Sequence, residues 1–298
     1  MGSHRGMTGS VLVVGDVIDD IVARITVPIR RDTDTPATIA RSSGGSAANT
    51  AVWLGHEGVA VEFVGHVGHG DAARFVEEFS AAGVHAYLEE DASEPTGTIV
   101  IIAEGESRTM LSDRGANVAL NLAAIRDDLL EEVDWVHFTG YSIFHHRDPA
   151  SVSQFLRRAQ SKGASLMVDA SSVGFLSDFG VGRFLEIIAG IDILRCNEEE
   201  ALVLSGKDTL EDALVTLHHL FPAVVATQGG QGSSLIYAGE HHHVPPTHVE
   251  MVVDPTGAGD SFNAGLLAGL IAGHSIVEAA GRASAMAATC VTLMGARP

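Results

Sequence analysis

The strongest chemical signal in the chain is Met251-Val-Val-Asp-Pro-Thr-Gly-Ala-Gly-Asp-Ser-Phe-Asn-Ala-Gly265. An apolar run stops at Asp254, Gly257 and Gly259 form a turn, and a small-residue helix is predicted to start near Asp260 and run towards Ala272. Backbone N–H groups at a helix start have no intrahelical acceptor and carry the positive end of the dipole. Glycines let an anion approach such a backbone closely. Gly257, Ala258 and Gly259 are therefore candidates for an anion cradle. Asp260 would repel an anion bound there, but it suits a general base that takes the proton of a hydroxyl attacking a phosphate, help worth about 10²–10⁴ in rate. An ordinary N-cap is the competing reading of Asp260.

Other phosphate-handling patterns fail on particular residues. A P-loop needs a lysine in G-x-x-x-x-G-K-[ST], and the only lysines, Lys162 and Lys207, lie in no such setting. The dinucleotide fingerprint G-x-G-x-x-G breaks at Phe262, and Gly15-Asp16 after the first apolar run lacks its glycines, which disfavours a dehydrogenase. The G-x-S-x-G elbow of an α/β-hydrolase does not occur.

The elements that must position these residues follow an alternating pattern. Short apolar runs at 10–14, 59–64, 135–138, 165–168, 192–194 and 223–226 are separated by helical segments such as 46–54, 71–82, 149–160 and 210–220. This is the mark of βαβ units and a mostly parallel sheet, with ligands at the strand ends. Two segments depart from it. Residues 21–39 lack helical periodicity and contain Pro28 and Pro36, and 96–110 read as two strands around a turn at Glu104-Gly105. They predict a small sheet projecting as a lid, with an extra edge of the main sheet as the alternative. Residues 1–9 read as a tag or disordered start.

The net charge of −20 excludes a nucleic-acid or anionic-membrane partner, and the lack of 18 consecutive apolar residues excludes a spanning helix. Two cysteines, Cys196 and Cys290, give no disulfide framework and suit a cytoplasmic protein. His241-His-His243 reads as a solvated loop, His145-His146 as a loop cap or pocket border, and Cys196 as a small buried hydrophobe.

Asp254-Pro-Thr-Gly-Ala-Gly-Asp-Ser-Phe-Asn-Ala264 resembles the C-terminal signature of the ribokinase-like (PfkB-type) carbohydrate kinases. Gly44-Gly-Ser-Ala-Ala-Asn-Thr-Ala51 resembles the family's N-terminal glycine signature, Asn197-Glu-Glu-Glu200 its N-x-x-E motif, and Thr227-Gln-Gly229 its nucleotide loop. Gly15-Asp-Val-Ile-Asp-Asp20 resembles its first-strand element. The resemblance covers residues 11–296 with the motifs in order.

It implies a single domain over 10–298: a three-layer α/β/α sandwich with a mostly parallel central sheet and a small β lid at about 20–40 and 96–112. It implies an ATP-dependent kinase that phosphorylates a hydroxyl of a sugar or sugar-like molecule, with a nucleoside kinase or a catalytically silent sugar- or nucleotide-binding protein as alternatives. Asp260 takes the role of base, and Gly257, Ala258 and Gly259 that of the anion hole. Asp16, Asp20, Gly45, Asn49 and Asn117 take the acceptor, with Asp19 sharing that task or facing solvent. Asn197, Thr227, Gly229 and Gly232 take the nucleotide. Glu200 is expected to act on Mg²⁺ through water, and Asp254, with the Thr256 and Gly295 carbonyls, to hold a monovalent cation, K⁺. A homodimer through the lid is expected, with Val100 and Ile102 packing across a partner lid.

Three departures from the family pattern fall on the expected acceptor half and leave phosphoryl transfer intact. Ser46 stands where many members have Lys, Gly70 where Asp is common, and no sugar-binding glutamate occurs near Thr139-Gly-Tyr-Ser142. The stop at Pro298 leaves out a last cation-site contact that some members use.

Overall fold

The computed structural model describes residues 9–104 and 107–298. The expected start segment, up to residue 8, and Gly105 of the expected turn lie outside the described residues. The strands are β1 (Ser10–Val14), β2 (Ile18–Ile25), β3 (Ala37–Gly44), β4 (Ala60–Gly68), β5 (Val84–Asp91), β6 (Thr96–Glu104), β7 (Ser107–Gly115), β8 (Trp135–Thr139), β9 (Ser165–Asp169), β10 (Ile193–Asn197), β11 (Ala223–Thr227), β12 (Ser233–Tyr237) and β13 (Glu240–Val244). The helices are α1 (Ser46–His56), α2 (Ala72–Ala81), α3 (Asp127–Glu131), α4 (Gly140–Phe144), α5 (Pro149–Ser161), α6 (Val173–Phe179), α7 (Val181–Ile187), α8 (Glu198–Ser205), α9 (Leu210–His218), α10 (Ala258–Ile271) and α11 (Ile276–Cys290).

Nine strands form the main sheet in the order β13-β12-β11-β10-β9-β8-β1-β4-β5. Its pairs are parallel except β11–β12 and β12–β13. The run SVLVV of β1 shows why this sheet sits between two helix layers. Val11 and Val13 pack into a core with α1, α2, α10 and α11, while Leu12 and Val14 pack into one with α3, α5, α7, α8 and α9. A strand covered on both faces must be apolar at every position, not at alternate ones. α10 and α11 pack tightly because Gly265 and Gly269 of α10 lie against Ala283 and Ala279 of α11.

A second sheet of four strands, β3-β2-β6-β7, stands apart from the first. It draws on the two segments that broke the βα pattern. β2 pairs antiparallel with β3 and parallel with β6. Asp20 and Val22 of β2 and Ile99 and Ile101 of β6 line cavities on the inner face; alternation puts Ile21, Ala23, Val100 and Ile102 on the other.

His241, His242 and His243 lie in β13, paired to β12, and not in a solvated loop. The two-residue link Ala238-Gly239 has positive φ at both positions, the geometry of a tight hairpin whose twist matches paired strands. Met251 to Val253 form no strand and are exposed. No helix among the described residues is long and apolar enough to cross a membrane.

Candidate active site

β1, β9, β10 and β11 run parallel and end on the same side of the sheet, where the start of α10 meets them. The cavity there has a volume of about 760 Å³. It brings together Asp16, Asp20, Gly45, Asn49, Asn197, Glu200, Thr227, Gly229, Gly257, Gly259 and Asp260, which are spread over more than 240 positions of the chain.

Gly257 precedes α10 with φ +82, and a Cβ there would lie 2.6 Å from the Ala296 backbone, so a larger residue is excluded on two counts. The chain then turns directly into α10. Among the described residues no protein acceptor takes the N–H of Gly257, Gly259 or Asp260, whereas that of Ala258 reaches the Pro255 carbonyl at 3.3 Å. These free donors and the dipole of a 14-residue helix point at one spot.

The Asp260 side chain does not cap its own helix. Its carboxylate accepts the Ser46 hydroxyl at 2.6 Å and the Asn49 amide at 2.9 Å, both from the first turn of α1. Burial pushes its pKa up to about 7, while those two hydrogen bonds hold it back. A base poised near neutrality suits proton abstraction at physiological pH. The Ser46 departure, expected to concern the acceptor half, therefore reaches further, since its hydroxyl grips the Asp260 carboxylate.

Arg195 is a residue the motifs did not announce. It lies in β10, two positions before Asn197, and is buried. Its guanidinium donates to Asp169 at 2.9 Å and to the Thr227 hydroxyl at 3.1 Å. A Cβ on Gly259 would sit 3.3 Å from both of its terminal nitrogens, so glycine gives this cation room to lie close against the start of α10. Losing one partner of such a buried pair costs about 3–5 kcal/mol. An arginine among the Ile, Leu and Cys of a strand that ends in Asn197 was the available signal in the sequence.

On the nucleotide side, Asn197 and Glu200 form a capping box at the start of α8: Glu200 N–H donates to Asn197 and Asn197 N–H to Glu200, each at 2.8 Å. Glu200 is nevertheless buried and lines the cavity, and burial and the nearby Asp169 charge push its pKa up to about 7. Only one of its oxygens is engaged by the cap. A single buried carboxylate with a free oxygen fits a magnesium held mainly by water and phosphate oxygens, and no cluster of three His, Cys, Asp or Glu ligands occurs among the described residues. Ala258 and Gly232, with Thr227 and Gly229, line an adjoining pocket of about 300 Å³ whose far wall is Val249, Val252, Ala287 and Val291. That wall suits a flat heterocycle.

On the acceptor side, Asp20 faces the cavity with no hydrogen-bond donor on its carboxylate among the described residues, and burial pushes its pKa up to about 6 against the pull of Arg297. Asp16 accepts Ala47 N–H at 3.0 Å, Ser46 N–H at 3.2 Å and Arg114 at 3.4 Å, so it anchors α1 as well as facing the cavity. Gly45 has φ +99, and a Cβ there would collide with the Asp16 carbonyl. Asp19 neither shares the pocket nor faces solvent alone: it pairs with Arg74 at 2.6 Å. Asn117 is a correction. It does not line the cavity, because its amide is used by the backbone of Val17, on both N–H and carbonyl, and of Arg114.

Arg114 and Arg297 also went unread in the sequence. Arg114 is buried in the cavity wall, stacked 4.6 Å over the Tyr141 ring, with no partner on Nε among the described residues. Arg297 Nε donates to the side-chain Oδ1 of Asn49 at 2.9 Å, which turns the Asn49 Nδ2 towards Asp260.

Asp254 does not fit the expected cation site. Its Oδ1 accepts Thr256 N–H at 2.8 Å and Arg108 at 2.7 Å, and its Oδ2 accepts Gly295 N–H at 3.2 Å. Two N–H donors and a guanidinium already occupy both oxygens of the carboxylate, Oδ1 twice and Oδ2 once.

Known proteins are similar to this chain over more than nine-tenths of its length. The chain is 28% identical to a ribokinase of Arabidopsis thaliana over 96% of its own length and 77% of that protein. It is 27% identical to a fructokinase of Klebsiella pneumoniae, over 91% and 87%. Its fold superposes on the crystal structure of an adenosine kinase from Sinorhizobium meliloti with a TM-score of 0.87, at 26% identity, covering 98% and 96% of the two chains. The family model described as pfkB family carbohydrate kinase matches residues 8–298. Because that match takes in nearly the whole chain, the chain belongs to the pfkB family of carbohydrate kinases.

Proposed function

We propose that the protein transfers the γ-phosphoryl group of ATP to a hydroxyl of a sugar or nucleoside lying between Asp20 and Asp260. One observation carries this reading: Asp260, with its pKa near neutrality, shares a cavity with the unpaired N–H groups of the same helix start. The acceptor hydroxyl gives its proton to the Asp260 carboxylate as its oxygen attacks the γ-phosphorus. The bond from phosphorus to the ADP oxygen breaks, and ADP leaves. The N–H groups of Gly257, Gly259 and Asp260 and the Arg195 guanidinium are set in advance against the charge that builds on the phosphoryl oxygens. Glu200, beside Asn197, would hold the water shell of Mg²⁺, which when bound neutralises phosphate charge. The adjoining 300 Å³ pocket takes the nucleotide base.

The small sheet acts as a lid that keeps water from the reacting groups. The half-exposed Ile21, Val100 and Ile102 on its outer face support pairing of two such lids. Arg114 and Tyr141 at the acceptor end favour substrates with a planar, acceptor-rich group, so nucleosides and sugar acids head the test. That test is acceptor-dependent ADP release across sugars, sugar acids, phosphosugars and nucleosides. Release with at least one acceptor, and none without, is expected. ATP and acceptors that bind without any turnover would replace the kinase with a binding protein.

A further inference from the structure

The Asp254 carboxylate sits at the entry to the anion-hole turn, and three separate segments converge on it. Thr256 N–H comes from the turn itself, Gly295 N–H from the segment after α11, and the guanidinium of Arg108 from β7 of the small sheet. Arg108 donates to the Thr256 hydroxyl as well. Asp254 is buried, and the Arg108 side chain keeps only 29% of its surface. Burial pushes the Asp254 carboxyl up, but these donors together hold it below the usual carboxylate range. A monovalent ion would need the same carboxylate oxygens, with backbone carbonyls closing around it. Here two N–H groups point at the carboxylate, and a planar cation already compensates its charge.

We propose that Arg108 is the resident cation of this chain, so that the anion-hole loop is held in place without potassium. The inference is read out through the kinase activity proposed above, but it rests on the Arg108–Asp254–Thr256 geometry. A guanidinium differs from a bound ion in where it is anchored. It ties the loop before Gly257 to the small sheet, 146 positions away in sequence, so the charge that orders the loop arrives with the element that covers the site. An ion would tie only the loop and the segment around Gly295.

The test compares wild type, Arg108→Ala and Arg108→Lys in potassium chloride and in choline chloride at equal ionic strength. Wild type should show the same acceptor-dependent kcat/KM in both salts. Arg108→Ala should lose about 10–100-fold in choline, the worth of a charge-assisted hydrogen bond, and regain much of it in potassium. Arg108→Lys should stay independent of potassium. Thermal unfolding of the same proteins without substrates gives a second readout: potassium should raise the melting temperature of Arg108→Ala over choline and leave wild type unmoved. A wild type that needs or is stabilised by potassium overturns the proposal, as does an Arg108→Ala protein that matches wild type in both salts. If no acceptor is turned over in either salt, the kinase reading falls, and the melting temperatures alone decide the role of Arg108.

Discussion

At the proposed phosphoryl end of the cavity the donors are the backbone N–H groups of Gly257, Gly259 and Asp260 at one helix start, backed by the buried Arg195. At the acceptor end the polar groups are side chains, and most are tied to one another. Asp16 holds the start of α1 and pairs with Arg114, and Asn49 is fixed between Asp260 and Arg297. Asp20 is the carboxylate there left without a protein donor among the described residues. The phosphoryl end can thus be built from a short local motif, because its chemistry is carried by main chain that any sequence possesses. The acceptor end depends on a network of long-range pairs, and small changes in that network alter which molecule fits. The two ends meet at Asp260, which belongs to the helix start of one and is gripped by α1 of the other.

The largest expected effect comes from breaking that meeting point. Asp260→Asn should lower kcat by about 10²–10⁴ while ATP still binds, as measured by acceptor-dependent ADP release beside nucleotide titration; near wild-type turnover would remove Asp260 as base. The same variant has a stability signature. The folded-state pKa of Asp260, about 7, lies above its ordinary 3.8, so the stability linked to its bound proton is complete below 3.8 and lost as pH rises through about 7. The melting temperature of Asp260→Asn should therefore fall less than that of wild type across this interval.

A smaller effect separates the two ends. Asp20→Ala should raise the acceptor KM by about tenfold, the worth of a hydrogen bond to a charged group, and leave the ATP KM alone. Equal changes in both constants would show that Asp20 serves the site as a whole. The smallest effect tests the grip of α1 on the base. Ser46→Ala removes a hydrogen bond that favours the charged carboxylate, so the acidic limb of the kcat profile should move to higher pH by up to about one unit. An unmoved limb would leave Ser46 as packing only.

Much of the phosphoryl end was legible because it is local. A glycine turn, an aspartate and a small-residue run lie within a dozen positions, and capping physics acts over that range. The acceptor end was legible only in part. Asp16, Asp20, Gly45 and Asn49 do reach the cavity, whereas Asn117 looked equivalent in sequence and is used instead to stitch its turn to Val17. Its neighbours in the chain carry no sign of that, since the partner lies 100 positions away. Ser46 read as an acceptor-side change because its partner Asp260 is 214 positions distant. The histidines of β13 were misread because two adjacent positive-φ residues at Ala238-Gly239, one of them not glycine, close a hairpin that polar strand residues do not advertise.

Taken by itself, the sequence determined the layered α/β plan, the small extra sheet and the helix start after a glycine turn, since apolar periodicity and glycine-rich turns act through near neighbours. Only the tertiary structure decided what each charged side chain does. Arg195 lies under Gly259, Arg297 orients Asn49, and Arg108 closes on Asp254 where an ion was expected. Each of those pairings joins segments that meet only when the two helix layers and the small sheet have packed, and in a buried site it is packing that decides which charge finds which partner.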